Sequence, residues 1–87
     1  MIMKQIDDCL TRFFTNQKPL KKKWQAVQQE KTHLYLFHYH HLVLVYDFEN
    51  QRILYEWWEK QADKRGLDSA KLWLKENEHV IANFIEK

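Results

Sequence analysis

Apolar residues fall at Ile2, Ile6, Cys9, Leu10, Phe13 and Phe14, three or four places apart, the repeat of a helix that buries one face. The helix should end near Asn16, a residue that tolerates the left-handed cap conformation, because Pro19 disfavours helical geometry at Lys18 and cannot extend the ladder. A second pattern follows, dense in Tyr, Phe, Val, Leu and Trp and broken by polar residues at 29–32, 40–41 and 49–51. It predicts four strands, roughly Lys22 to Gln28, His33 to Tyr39, Leu42 to Phe48 and Arg52 to Trp57. Connections this brief force an antiparallel meander. The remainder returns to helical spacing. A helix is expected from Trp57 to Arg65, stopped at Gly66 and followed by a new start capped by Asp68, with Asn77 as a further break. The expected fold is α+β in one domain over 1–87: an N-terminal helix, a four-stranded antiparallel meander and two or three C-terminal helices.

With two-residue turns throughout, Trp24, Ala26, Tyr35, Phe37, Tyr39, Leu42, Leu44, Tyr46, Phe48, Ile53, Tyr55 and Trp57 share one face and form the core. The opposite face then carries Gln25, Val27, Leu34, Leu36, His38, Val43, Val45, Asp47, Leu54 and Glu56. That is a great deal of aliphatic surface for a face left to water. Either helices cover both faces in three layers, or the second face meets a partner, with Leu34, Leu36, His38, Val43, Val45 and Leu54 as the contacts.

Composition narrows the function classes. The chain is 45% hydrophobic and 30% charged, the balance of a folded protein, and 87 residues suffice for one core only. The lone cysteine, Cys9, precludes an internal disulfide; no basic end followed by an apolar run opens the chain, and a reducing cytoplasm fits best. No apolar run approaches the ~20 residues of a membrane helix. Gly66 is the only glycine, which removes phosphate-cradling loops, the dinucleotide fingerprint and the nucleophile elbow together. Cys9 lies on the buried stripe of the first helix and reads as packing. His33, His38, His40 and His41 invite a metal, but no cysteine or carboxylate stands at ligand spacing to them, so no metal and no cofactor is expected. The acids around the last hairpin, Asp47, Glu49, Glu56 and Glu59, lack the spacing of a metal-dependent nuclease.

The net charge is only +2, yet no acid occurs between Cys9 and Gln29, where Lys18, Lys21, Lys22 and Lys23 run into Trp24. Such a segment can neutralise phosphates and stack a base, or be a solvated linker guarding an edge strand. Ala62, Gly66, Leu67 and Leu72 also have the spacing of a helix-turn-helix, although Lys75 stands where that motif wants an apolar residue. Three functions emerge in order. The first is a non-catalytic interaction or regulatory protein binding a protein partner or itself as a homodimer. The second is a nucleic-acid-binding module using Lys18, Lys21, Lys22, Lys23, Trp58, Lys64, Arg65 and Lys71. The third is a small metal-free ribonuclease.

Overall fold

A computed structural model describes residues 1–20 and 22–86. The chain runs α1 (Lys4–Phe14), β1 (Trp24–Gln29), β2 (His33–His38), β3 (His41–Asp47), β4 (Arg52–Glu56), α2 (Gln61–Glu76) and α3 (Glu78–Ile85). The strands form one antiparallel sheet in the order β1-β2-β3-β4, so the meander and the helix before it are as expected. Among the described residues no helix is long and apolar enough to cross a membrane.

α1 closes as its sequence predicts. Asn16 takes φ 57°, and the Gln17 amide reaches back to the Arg12 carbonyl at 2.9 Å, so the helix's last carbonyls are satisfied by a left-handed cap. Its buried stripe, Ile6, Leu10 and Phe14, joins Trp24, Leu34, Leu36, Leu44 and Tyr46 of the sheet and Leu67, Ala70, Trp73, Leu74 and Ile81 of the C-terminal helices in one core. Phe14 lies flat on Trp73, with centroids 5.5 Å apart and planes 14° apart, and Phe13, Phe48 and Phe84 pack edge-on or tilted around it. All three helices therefore cover the same sheet face, and the three-layer arrangement is excluded.

The C-terminal half corrects the expected boundaries. Residues 57–60 are a connection, and α2 passes straight through Gly66, whose φ is not positive. Gly66 neither stops a helix nor turns one; it lies directly beneath the Trp24 indole, where a side chain would collide. Asp68 is thus an interior helical residue paired with Lys64, not a cap, and the helix-turn-helix reading falls with the turn it required. The break at Asn77 is real: it ends α2 and begins α3.

The sheet faces also change. β1 and β2 are joined by three residues, Glu30, Lys31 and Thr32, with Gln29 opposite His33. Glu30 and Lys31 take φ 54° and 69° without glycine. An odd loop pairs Trp24 with His38 and Ala26 with Leu36, which moves Leu34, Leu36 and His38 onto the core side and Tyr35 and Phe37 away from it. The β2–β3 turn does have two residues, Tyr39 and His40, but a register shift between Leu36 and Phe37 realigns the strands, and a second shift between Val45 and Tyr46 does the same for β3 and β4.

Candidate functional site

Two regions stand out once the register is known. The first is the sheet face that no helix covers. One row across all four strands reads Val27, Tyr35, Val45, Tyr55, and the next holds Gln25, Phe37 and Leu42. Tyr35 and Phe37 lie side by side, centroids 6.5 Å apart. Val27 and Tyr55 are 38% and 42% exposed; Val45, in mid-row, is shielded by its neighbours rather than by the core. The charges of this face gather in the end row, His33, Asp47 and Arg52. Asp47 is occupied there: its carboxylate accepts the Glu49 and Asn50 amides at 3.0 and 3.1 Å and the Asn50 side chain at 2.8 Å, bonds that hold it below the usual carboxylate range.

The expected contact residues divide accordingly. Leu34, Leu36 and Val43 have no exposure and belong to the core, and His38 is buried beside them, so these four are not surface contacts. Val45 stays on the uncovered face, and Leu54, at the irregular step of β4, is 44% exposed. The residues that take the place of the lost four are Val27, Tyr35, Phe37, Leu42 and Tyr55. Tyr35, Phe37, Leu42 and Tyr55 alternate visibly in the sequence, but on the side assigned to the core, whereas Val27 already falls on the second face.

The second region is a polar cluster within the fold. Asp63, 1% exposed, sits in the first turn of α2 and accepts the Lys60 and Glu59 amides at 3.0 and 3.2 Å. The N-cap, Lys60, has no side-chain acceptor of its own, so Asp63 does the capping from inside the helix. It also meets His38 Nδ1 at 2.6 Å and His41 Nδ1 at 3.4 Å. Burial opposes the charge of Asp63, but the Lys60 amide, His38, the Glu59 amide and His41 together outweigh burial and hold it well below the usual carboxylate range. An ionised carboxylate only accepts, so each ring donates its Nδ1–H. His38 is stacked on Trp24 at 4.2 Å and His41 stands edge-on to Trp57 at 5.4 Å. Two aromatic lids and a shared carboxylate lock the hairpin tip to the start of α2. Although Asp63, His38 and His41 meet, among the described residues no three His, Cys, Asp or Glu side chains are arranged to hold a metal ion.

The basic residues are divided between the connection before β1 and helix α2. Lys18, Lys22 and Lys23 are exposed in the connection leading to β1, and Lys21 lies outside the described residues. Lys71 binds Glu56 of β4, the opposite edge of the sheet, at 3.0 Å, and Lys64 binds Asp68 at 2.9 Å while lying 5.8 Å from the Trp58 ring centre. Arg65 and Trp58 are both exposed. Cys9 is a packing residue: burial pushes its thiol up to about 11, against a partly opposing contribution from the Ala26 amide. It should therefore hold roughly a hundredfold less thiolate than an open cysteine and alkylate correspondingly slowly at neutral pH; labelling at the free-thiol rate would place it outside the packed interior. Comparison with known proteins returns no matching family model, no similar curated protein and no similar solved structure, so any functional reading rests on this geometry.

Proposed function

We propose that the chain is a non-catalytic interaction protein that pairs with a second copy of itself through the uncovered sheet face. The observation that carries this reading is the unbroken apolar row Val27, Tyr35, Val45, Tyr55 with Phe37 and Leu42 beside it. Two such faces pack about 10 Å apart with interdigitated side chains in sheet sandwiches. A face without lysine or glutamate in its centre does not repel its own copy, whereas a strongly charged face would select an oppositely charged partner. Four strands at ~4.8 Å spacing and five to seven residues in length offer a patch roughly 20 Å on a side. That is a small interface, suited to dissociation constants in the micromolar range.

Neighbouring residues on opposite faces supply the test. Phe37→Asp is expected to leave a folded protein whose dimer dissociation constant rises by about tenfold or more, read by sedimentation over a concentration series. Leu36→Asp, one residue away but fully buried, is expected to unfold the chain. The association should persist at high salt, where phosphate-driven binding of nucleic acid would fall steeply. A wild-type protein that stays monomeric at high micromolar concentration, or a Phe37→Asp dimer as tight as wild type, defeats the proposal.

A further inference from the structure

In the antiparallel meander the chain enters β1, leaves β2, enters β3 and leaves β4 at the same end of the sheet. The residues before Trp24, the Tyr39–His40 turn and residues 57–60 therefore meet there. Contacts fix their proximity. The Lys23 carbonyl accepts the Tyr39 amide at 2.8 Å, the Val43 carbonyl accepts the Trp57 amide at 3.0 Å, and Asp63 ties His38 and His41 to the first turn of α2. The Trp24 indole lies over Gly66, so the second turn of α2, which holds Arg65, reaches the same end. Lys22, Lys23, Lys60 and Arg65 are all exposed, and among the described residues none of them is in an ion pair. The acids nearby are largely occupied: Glu56 is held by Lys71, Asp68 by Lys64, and Asp63 by its four donors, which leaves Glu59. The connections at the opposite end, 30–32 and 48–51, reverse the balance, with Glu30 and Glu49 against Lys31. Rings open to solvent stand among the cations: Tyr39 is 60% exposed, Trp58 44% and Trp57 38%.

We infer that this end of the sheet binds single-stranded nucleic acid, with Lys22, Lys23, Lys60 and Arg65 on phosphates and bases stacked on Tyr39 and Trp58. Cations interleaved with open aromatic rings match a strand whose backbone is anionic and whose bases have free faces. A duplex keeps those faces inside its own stack, so the rings discriminate against it. From β1 to β4 the surface spans three strand spacings of ~4.8 Å, about 14 Å, enough for a few nucleotides. Affinity is accordingly modest, and sequence preference weak, because stacking and phosphate contacts do not read base edges. The surface lies at the end of the sheet and not on its uncovered face, so it operates whether or not that face dimerises.

The experiment titrates a fluorescently labelled oligothymidylate with the full chain and follows anisotropy at several salt concentrations. Binding in the micromolar range is expected at low salt. Its logarithm should fall against log salt with a slope of about −2 to −3, because each of three or four neutralised phosphates contributes about 0.7 in a single strand. A mixed-sequence duplex should bind about tenfold more weakly or worse. Lys22→Glu combined with Lys23→Glu should weaken binding by about tenfold or more and flatten the slope by about 1.4. Tyr39→Asn combined with Trp58→Ala removes two stacking rings, and asparagine tolerates the left-handed backbone at position 39, where φ is 56°. This pair should weaken binding comparably while leaving the salt slope unchanged. Lys75→Glu lowers the net charge in the last turn of α2, about 20 Å along the helix from its start, and should have little effect. The proposal is overturned by an absence of binding at low salt, a duplex bound as tightly as the single strand, an aromatic pair without effect, or a Lys75→Glu loss equal to that of the lysine pair. Self-association is followed separately at high salt, where oligonucleotide binding is lost, so the two readings fail independently.

Discussion

Gly66→Ala is expected to destabilise the protein by about 3 kcal/mol or more, although the same change inside an exposed helix usually stabilises by up to ~1 kcal/mol. A Cβ at position 66 would stand 1.9 Å from Trp24 Cη2, 2.1 Å from Cζ2 and 2.7 Å from Cζ3. None of these contacts can be accommodated by small adjustments. The indole has little freedom to retreat, because it is buried and stacked on the His38 ring, 4.2 Å away at 17°, and His38 is itself tied to Asp63. The extra methyl must therefore displace α2 from the sheet or drive Trp24 out of the core. Against a total stability of ~5–10 kcal/mol for a domain of this size, either outcome shifts the denaturation midpoint severely. The measurement is urea unfolding followed by tryptophan fluorescence. A double-mutant cycle sharpens it: Trp24→Leu makes room, so adding Gly66→Ala to that background should cost far less than in wild type. A neutral or stabilising Gly66→Ala in the wild-type background would mean that the indole does not rest on the glycine.

That contact explains what was legible in the sequence and what was not. The helix from Ile2, the four strands and the C-terminal helices were readable because each element's apolar period is local, and Asn16 ends α1 by a preference of its own side chain. Gly66 was misread because a glycine followed by Asp68 resembles a stop and a restart, while its real use depends on Trp24, a residue far away in the chain. The faces of β2 were misassigned for a different reason. Both faces are apolar, so Leu34 and Leu36 compete with Tyr35 and Phe37 on equal terms, and loop length alone decides between them. The deciding loop adopts left-handed conformations at Glu30 and Lys31, residue types that give no such signal. The histidines at the β2–β3 turn attracted notice at once, yet their partner did not. Asp63 looks like any acid in a first helical turn until the fold brings it under the hairpin.

Asp63 carries the second large effect. Asp63→Ala leaves the Glu59 and Lys60 amides and the Nδ1–H groups of His38 and His41 without their shared acceptor in a buried setting, an expected loss of about 3 kcal/mol. Asp63→Asn keeps one acceptor oxygen but turns an N–H₂ group toward donors, so its cost should be smaller, about 1–3 kcal/mol. The pH dependence distinguishes the carboxylate's charge from its shape. Its folded-state pKa lies below the unfolded value of about 4, so the folded protein releases this proton more readily than the unfolded chain does. The resulting stabilisation is complete above about pH 4 and is withdrawn as pH falls below it through the folded value. Asp63→Asn has no such proton to bind. Wild type should therefore exceed Asp63→Asn by the full difference near neutral pH, and the gap should narrow in acid as the wild-type carboxyl protonates. Urea denaturation of both proteins at about pH 7 and about pH 3 reads the two gaps directly. A gap that stays constant would show that Asp63 holds the hairpin to α2 through geometry alone, and would remove the charge from the account of why α2 begins where it does.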